Sequence, residues 1–359
     1  MQDIQKPQRG LVAVLAAVIT LTLVAGCSSY PPVPTPDEPI AGPALTLEQN
    51  QRILSAVNAT LELATETLDS TALAGRVTGP ALLVRTSQLE VARIRQSTDL
   101  VTAIPATYAQ VILPTNETWP RVMFAITDPP DPMQPQRLIA LVQNSAREPF
   151  KLWGWVQLRP GLTMPRFADP LIGSEFLAPD DDSLLLTPFD AVAQYADLLT
   201  LSDASTFVNN FEPADQDPFR ALLNQIRATQ TEQLAAERVE GTYTFTATPT
   251  PNMPIWTVRT VDGGAILIAS LDAIEIMQAM EGALLSPGTA TAQALLQGQE
   301  DTNRLEAGFI DMIALYIPPV GSQQRVMLIG YSHVQVSASS AVPDAPQQNN
   351  GEEEDTAEG

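Results

Sequence analysis

Few residues in this sequence are arranged to do chemistry, and those that are lie toward its C-terminal end. Asp311 stands inside an apolar run, Phe309-Ile310-Asp311-Met312-Ile313, where burial would disfavour its charged form and raise its pKa. Tyr331 and His333 are two apart in a neighbouring run, so in an extended strand both point to one face. A carboxylate, a phenol and an imidazole brought together would suit proton transfer, with Asp311 as the base and the other two as polar partners. The preferred expectation is structural: Asp311 sits at a strand kink beside Gly308, or pairs with an arginine such as Arg325.

Other chemistries are excluded by residue counts and spacing. His333 is the single histidine, which removes multi-histidine metal sites and most nucleophile triads. Ser332 is adjacent to it, so in a strand the two side chains face opposite ways. Gly330 opens a stretch that lacks the second glycine of a nucleophile elbow. Asp180-Asp181-Asp182 lacks the alternating oxygen ligands and the glycine of a calcium loop, and reads as a solvated connector. No phosphate-binding glycine loop, dinucleotide fingerprint or metalloprotease helix is present, so no cofactor and no metal are expected. Asn58 and Asn116 match the glycosylation sequon by chance. The four tryptophans are expected to pack in cores, Trp119 and Trp256 at equivalent strand positions and Trp153 with Trp155 on one strand face.

The one cysteine cannot form an internal disulfide, so stability must come from packing. Its surroundings give it a different use. Lys6 and Arg9 precede an apolar run from Leu11 to Leu23, which together read as a secretory leader. Val24, Ala25 and Gly26 then lead into Cys27, a pattern that resembles the bacterial lipobox. That resemblance implies cleavage after Gly26 and lipid attachment at Cys27, with palmitate-type acyl chains. The expected address is a cell membrane, lipid-anchored on its extracytoplasmic side. The apolar run is shorter than the roughly 20 residues a spanning helix needs. Pro31, Pro32, Pro34, Pro36, Pro39 and Pro43 then favour an extended spacer, about 3.1 Å per residue and so roughly 50 Å at most. With 19 Lys and Arg against 41 Asp and Glu, the net charge of −22 argues against nucleic acid as a partner and against a charge-based grip on anionic lipid.

The elements that must position these residues read as two units related by a period of about 135 residues. The first opens at Thr46-Leu47-Glu48-Gln49, a capping box, followed by apolar residues at helical spacing from Ile53 to Leu68. The second opens at Thr187-Pro188, a capping threonine before a proline at the first helical position. Each continues with a short element begun by an aspartate, Asp69 or Asp203, and a third helix near Pro80 or Pro218. Period-two runs then predict strands over 107–113, 121–127, 137–143 and 150–158 in the first unit. In the second they fall over 242–248, 256–261, 265–271, 305–317 and 325–336, with an insertion from Met280 to Thr302 that the first unit lacks.

The expected organisation is a leader (1–26), a tether (27–43), one α+β domain (44–167), a linker (168–186), a second α+β domain (187–337) and an acidic disordered tail (338–359). Helices first and an antiparallel sheet second resembles the nuclear-transport-factor-2-like cone, the family that includes ketosteroid isomerase, in two tandem copies. The whole arrangement, with a composition poor in lysine, resembles an uncharacterised family of actinobacterial lipoproteins. The cone resemblance implies a pocket in each unit, but that isomerase's aspartate base and tyrosine–aspartate oxyanion pair match no positions here. The leading expectation is therefore a non-enzymatic lipoprotein that binds an envelope protein or an apolar small molecule. Its rivals are an isomerase- or dehydratase-like enzyme built around Asp311, and the substrate-binding lipoprotein of a transporter. The last demands alternating strands and helices, which this element order does not provide.

Overall fold

A computed structural model describes residues 42–340, except 117, 130–133, 237–239 and 299–301. The leader, Cys27, nearly all of the tether, and the tail beyond Ser340 lie outside the described residues. No helix among the described residues is long and apolar enough to cross a membrane.

The predicted helix starts form as their capping chemistry dictates. Helix α1 (Leu47–Thr67) begins at Thr46, whose hydroxyl accepts from Gln49 N while the Gln49 side chain accepts from Thr46 N. Asp69 caps the short 3-10 helix Ser70–Gly75 by accepting from Thr71 N. Helix α2 (Gly79–Arg95) has Pro80 in its first turn. In the second half, Thr187 caps helix α3 (Pro188–Leu201), and Asp203 falls within the 3-10 turn Ser202–Ala204 rather than capping it. Helix α4 (Pro218–Ala236) starts at its proline, and buried Asp217 just before it accepts from Phe219 N and Arg220 N, both at 3.0 Å.

The strands join one antiparallel sheet. They are β1 (Tyr108–Ile112), β2 (Arg121–Thr127), β3 (Arg137–Gln143), β4 (Lys151–Leu158), β5 (Phe176–Leu177), β6 (Gly241–Pro249), β7 (Trp256–Arg259), β8 (Ala265–Ala279), β9 (Arg304–Ile317) and β10 (Met327–Ser339). Among the described residues the sheet has ten strands in the order β1-β2-β3-β4-β10-β9-β8-β7-β5, with β6 paired to β8 as well. The protein is thus α+β with helices packed on a single sheet, and the expectation of a separate sheet for each unit is not what is observed. The two sets of strands meet where Gly330 and Tyr331 of β10 pair with Leu158 and Gln157 of β4. Glycine is required at that seam, since a Cβ on Gly330 would collide with the Gln157 carbonyl.

Three boundaries shift from the sequence reading. The 168–186 linker contributes β5 to the sheet, pairing with β7, and Ser174 bridges to Pro114 just past β1. That bridge draws the two ends of the sheet together; Ser174 N donates to Leu113 O and Thr115 N to Ser174 O. Strand β8 continues eight residues beyond its expected end at Leu271, to Ala279. Strand β10 runs past its expected end at Val336 to Ser339, so Ala338 and Ser339 are strand residues and not part of the tail.

The long strands separate two cores, because alternate side chains of a strand go to opposite faces. Ile310, Met312 and Ala314 of β9 join Ile266 and Ile268 of β8 in a core with α1, α2 and β1–β4. Ile313, Leu315 and Ile317 join Leu267, Ala269 and Leu271 in a second core with α3 and α4. Asp311 has the parity of the second set.

Candidate functional site

In the second half β8, β9 and β10 run past the core under α3 and α4. The insertion supplies a further short helix, α5 (Ala290–Leu296), capped by Thr289 and packed against β10 and α2. The space between α4, α5 and this extended part of the sheet is a cavity of about 310 Å³. That lies at the small end of the range that holds organic ligands, roughly 300–1,000 Å³. Its wall is mostly apolar, with Ile226 from α4, Leu296 from α5 and Met277, Leu305 and Phe309 from the strands.

The predicted candidates assemble at its inner end. Strand register places His333 opposite Asp311, and their Nδ1 and Oδ1 atoms are 2.6 Å apart. A carboxylate only accepts, so Nδ1 carries the hydrogen and donates it. Asp311 is fully buried, and its second oxygen has no hydrogen-bond partner among the described residues. Burial raises the Asp311 pKa, and the charge and hydrogen bond of His333 oppose that shift without cancelling it. For His333, burial lowers the pKa, but the charge and hydrogen bond of Asp311 and the charge of Glu275 outweigh it, leaving the imidazole above its ordinary value. The arginine alternative of the preferred sequence expectation is thereby corrected: Asp311 has a histidine partner, while the Arg325 guanidinium is directed at the Phe211 carbonyl, 3.5 Å away, and the β9–β10 register does shift beside Gly308. The pairing follows from cross-strand register, which puts two residues 22 apart in sequence on one face.

Tyr331 and His333 share a face as expected, bridged by an aromatic group the sequence reading overlooked. Phe219, at the start of α4, stacks on Tyr331 with ring centres 4.5 Å apart and approaches His333 at 5.5 Å. Phe309 stacks on the imidazole at 4.2 Å with an interplanar angle of 5°. Tyr331 does not reach the Asp311–His333 pair by a hydrogen bond. His333 and Phe309 line the cavity, whereas Tyr331 and Asp311 do not.

Two further polar residues of the wall escaped the sequence reading. Glu275 of β8 accepts from the Tyr243 hydroxyl of β6 at 2.9 Å. Burial raises the Glu275 pKa, and the Tyr243 hydrogen bond and the charge of His333 counter it only in part. Burial and the neighbouring carboxylate push the Tyr243 phenol well up, so it remains a donor. The available signal was Glu275 between Ile274 and Ile276, a charge between strand-forming residues.

A family model described as a domain of unknown function, DUF8094, matches residues 41–340. The chain belongs to this family. The match spans both halves together, as the single sheet does. No curated protein and no solved structure matches the chain. DUF8094 as described assigns no chemistry, so the functional reading rests on the cavity and its lining.

Elsewhere the structure accounts for the remaining sequence candidates. Asp181 is held by hydrogen bonds from Ser183 N and Oγ, with Arg259 3.8 Å away, and no group of three or more His, Cys, Asp or Glu side chains among the described residues could hold a metal. Asn58 is buried and donates to the Tyr108 hydroxyl. Trp155 is fully buried beside Arg85, and Trp153 packs edge-on against Trp256. Trp119 departs from the core expectation: it precedes β2, is 40% exposed, and lies under the Arg121 guanidinium. Val24, Ala25, Gly26 and Cys27 lie outside the described residues.

Proposed function

We propose that this DUF8094 protein is an exported lipoprotein, held on the outer side of a cell membrane by a lipid on Cys27, whose second half binds an apolar small molecule without transforming it. The observation that carries the binding reading is the cavity walled by α4, α5 and the overlong strands, with apolar side chains over most of its surface. The address rests on the leader and on Val24-Ala25-Gly26-Cys27. The two halves are read as edge-joined copies of one cone-like unit, supported by their shared order of helices before strands.

Organic extraction of the chain purified from its host's membranes, followed by mass spectrometry, tests the binding reading. A reproducible apolar compound in stoichiometric amount is expected, and repeated recovery of none would sink it. The address has a separate test. Cys27→Ala should abolish incorporation of labelled acyl chains and move the chain out of the membrane fraction.

A second reading, proton transfer, is favoured by one observation: His333 lines the cavity and is backed by buried Asp311. It predicts deuterium uptake from heavy water into the bound compound, abolished by His333→Gln. Unlabelled compound recovered from the wild-type chain would leave only the binding role.

A further inference from the structure

The polar end of the cavity restricts what its occupant can carry. Glu275 is a half-buried carboxylate of the wall, and among the described residues the neutral Tyr243 hydroxyl is its one hydrogen-bond partner, on Oε1. The wall contains no lysine or arginine among its described residues. Its one basic side chain, His333, already faces the carboxylate of Asp311. Outside the wall Arg227 acts on Glu275 through its charge, but its guanidinium is committed to the carbonyls of Leu199 and Thr200 and to Asn224, with Cζ 5.6 Å from the centre of the Phe245 ring. Glu306, the other carboxylate of the wall, is paired with Arg304 at 2.9 Å.

An anionic headgroup entering this space would lose hydration and meet the half-buried Glu275 carboxylate, while the cations within reach, His333 and Arg227, are already engaged with Asp311 and with backbone carbonyls. A hydrogen-bond donor would instead find acceptor capacity on Glu275 that Tyr243 leaves unused, at a reduced desolvation cost because the carboxylate is already half-buried. We infer that the cavity takes an apolar molecule whose polar end donates a hydrogen bond and bears no negative charge, a hydroxyl or a protonated amine, and that it rejects carboxylates. This rests on the binding reading above and specifies its ligand class.

The test is three separate titrations of the full chain held in amphipol, followed by native mass spectrometry, with 1-octanol, octylamine and octanoate as probes of equal chain length. Octanol and octylamine should each bind at least about tenfold more tightly than octanoate, the span of one charge-assisted hydrogen bond. Glu275→Gln should bring octanoate to within about threefold of octanol. If that variant does not fold, the ranking on the unaltered chain decides alone. Octanoate binding as well as or better than the other two would overturn the inference while leaving the cavity a binding site. Binding of none of the three would overturn both.

Discussion

In the first half of the sheet β1 to β4 are 5 to 8 residues long, and the middle of the sheet there is packed into a core. Val122 to Ile126 of β2 and Leu138 to Val142 of β3 are buried without a break, so both faces are covered. In the second half β8, β9 and β10 are 15, 14 and 13 residues long and overrun the helices that cover them. The same succession of elements therefore yields a packed core with polar clefts at its edge in one half and an apolar-walled cavity in the other. Strand length against helix length makes the difference, and the insertion that the first half lacks closes the space so created. The polar groups follow the same division. Buried Arg85, its pKa pushed down to about 10 by burial and by Arg137, donates to the Thr102 carbonyl in the first half, and Asp311, His333 and Glu275 gather in the second.

The comparison is broken most severely at its seam. Gly330→Ala would drive a Cβ into the β4 backbone and should cost about 3 kcal/mol or more. Chemical denaturation should show that loss in a single transition, the same by tryptophan fluorescence, which follows the first core, and by far-ultraviolet circular dichroism, which follows both halves; two separated transitions would mean the halves fold independently. Next in size is the cap of α4. Asp217→Ala removes the carboxylate that accepts from two backbone N–H groups and from the buried Tyr195 hydroxyl, 2.9 Å away, and should cost about 2–3 kcal/mol in the same assay.

A matched pair sharpens the contrast between filled and open. Ala125→Leu, at a fully buried position of β2, should lose about 2 kcal/mol through overpacking. Ala307→Leu, on the cavity wall, should change stability by under about 0.5 kcal/mol because its added atoms enter empty space. Equal losses at the two positions would remove the distinction.

The smallest effect is a dependence on pH. His333 has a raised pKa when folded, so its contribution is full below its ordinary value of 6.5 and is lost as pH rises through the folded value. Asp311, also raised, acts in the same direction. The melting temperature should therefore fall as pH rises from 6 toward 8, and His333→Gln should flatten that fall. A wild-type profile that climbs over this range would show that the pair is not held as described.

What the sequence made legible is local. The capping box at Thr46, the Thr187-Pro188 start and the strands 121–127 and 137–143 are found where side-chain periodicity puts them, because each is set by neighbours a few residues apart. The union of the sheets was not legible, since it depends on two residue pairs between β4 and β10 that leave no local pattern. The extension of β8 was hidden for a related reason. From Asp272 to Gln278 polar residues occur on both faces, because one face lines the cavity and Ile274 on the other is 43% exposed. The site was half visible. Asp311, Tyr331 and His333 stood out as polar groups in apolar strands, but the pairing of Asp311 with His333 needed the β9–β10 register, and Glu275 had no significance before the cavity was seen.

The claim that the second half is a binding site is tested most directly by filling it. Ala292→Trp would place an indole in the cavity from α5, outside the Asp311–His333 pair. Compound recovered from host membranes should be retained by the wild-type chain and by Ala125→Leu, and lost from Ala292→Trp with little change in melting temperature. Undiminished recovery from a folded Ala292→Trp chain would contradict the account and place the ligand elsewhere.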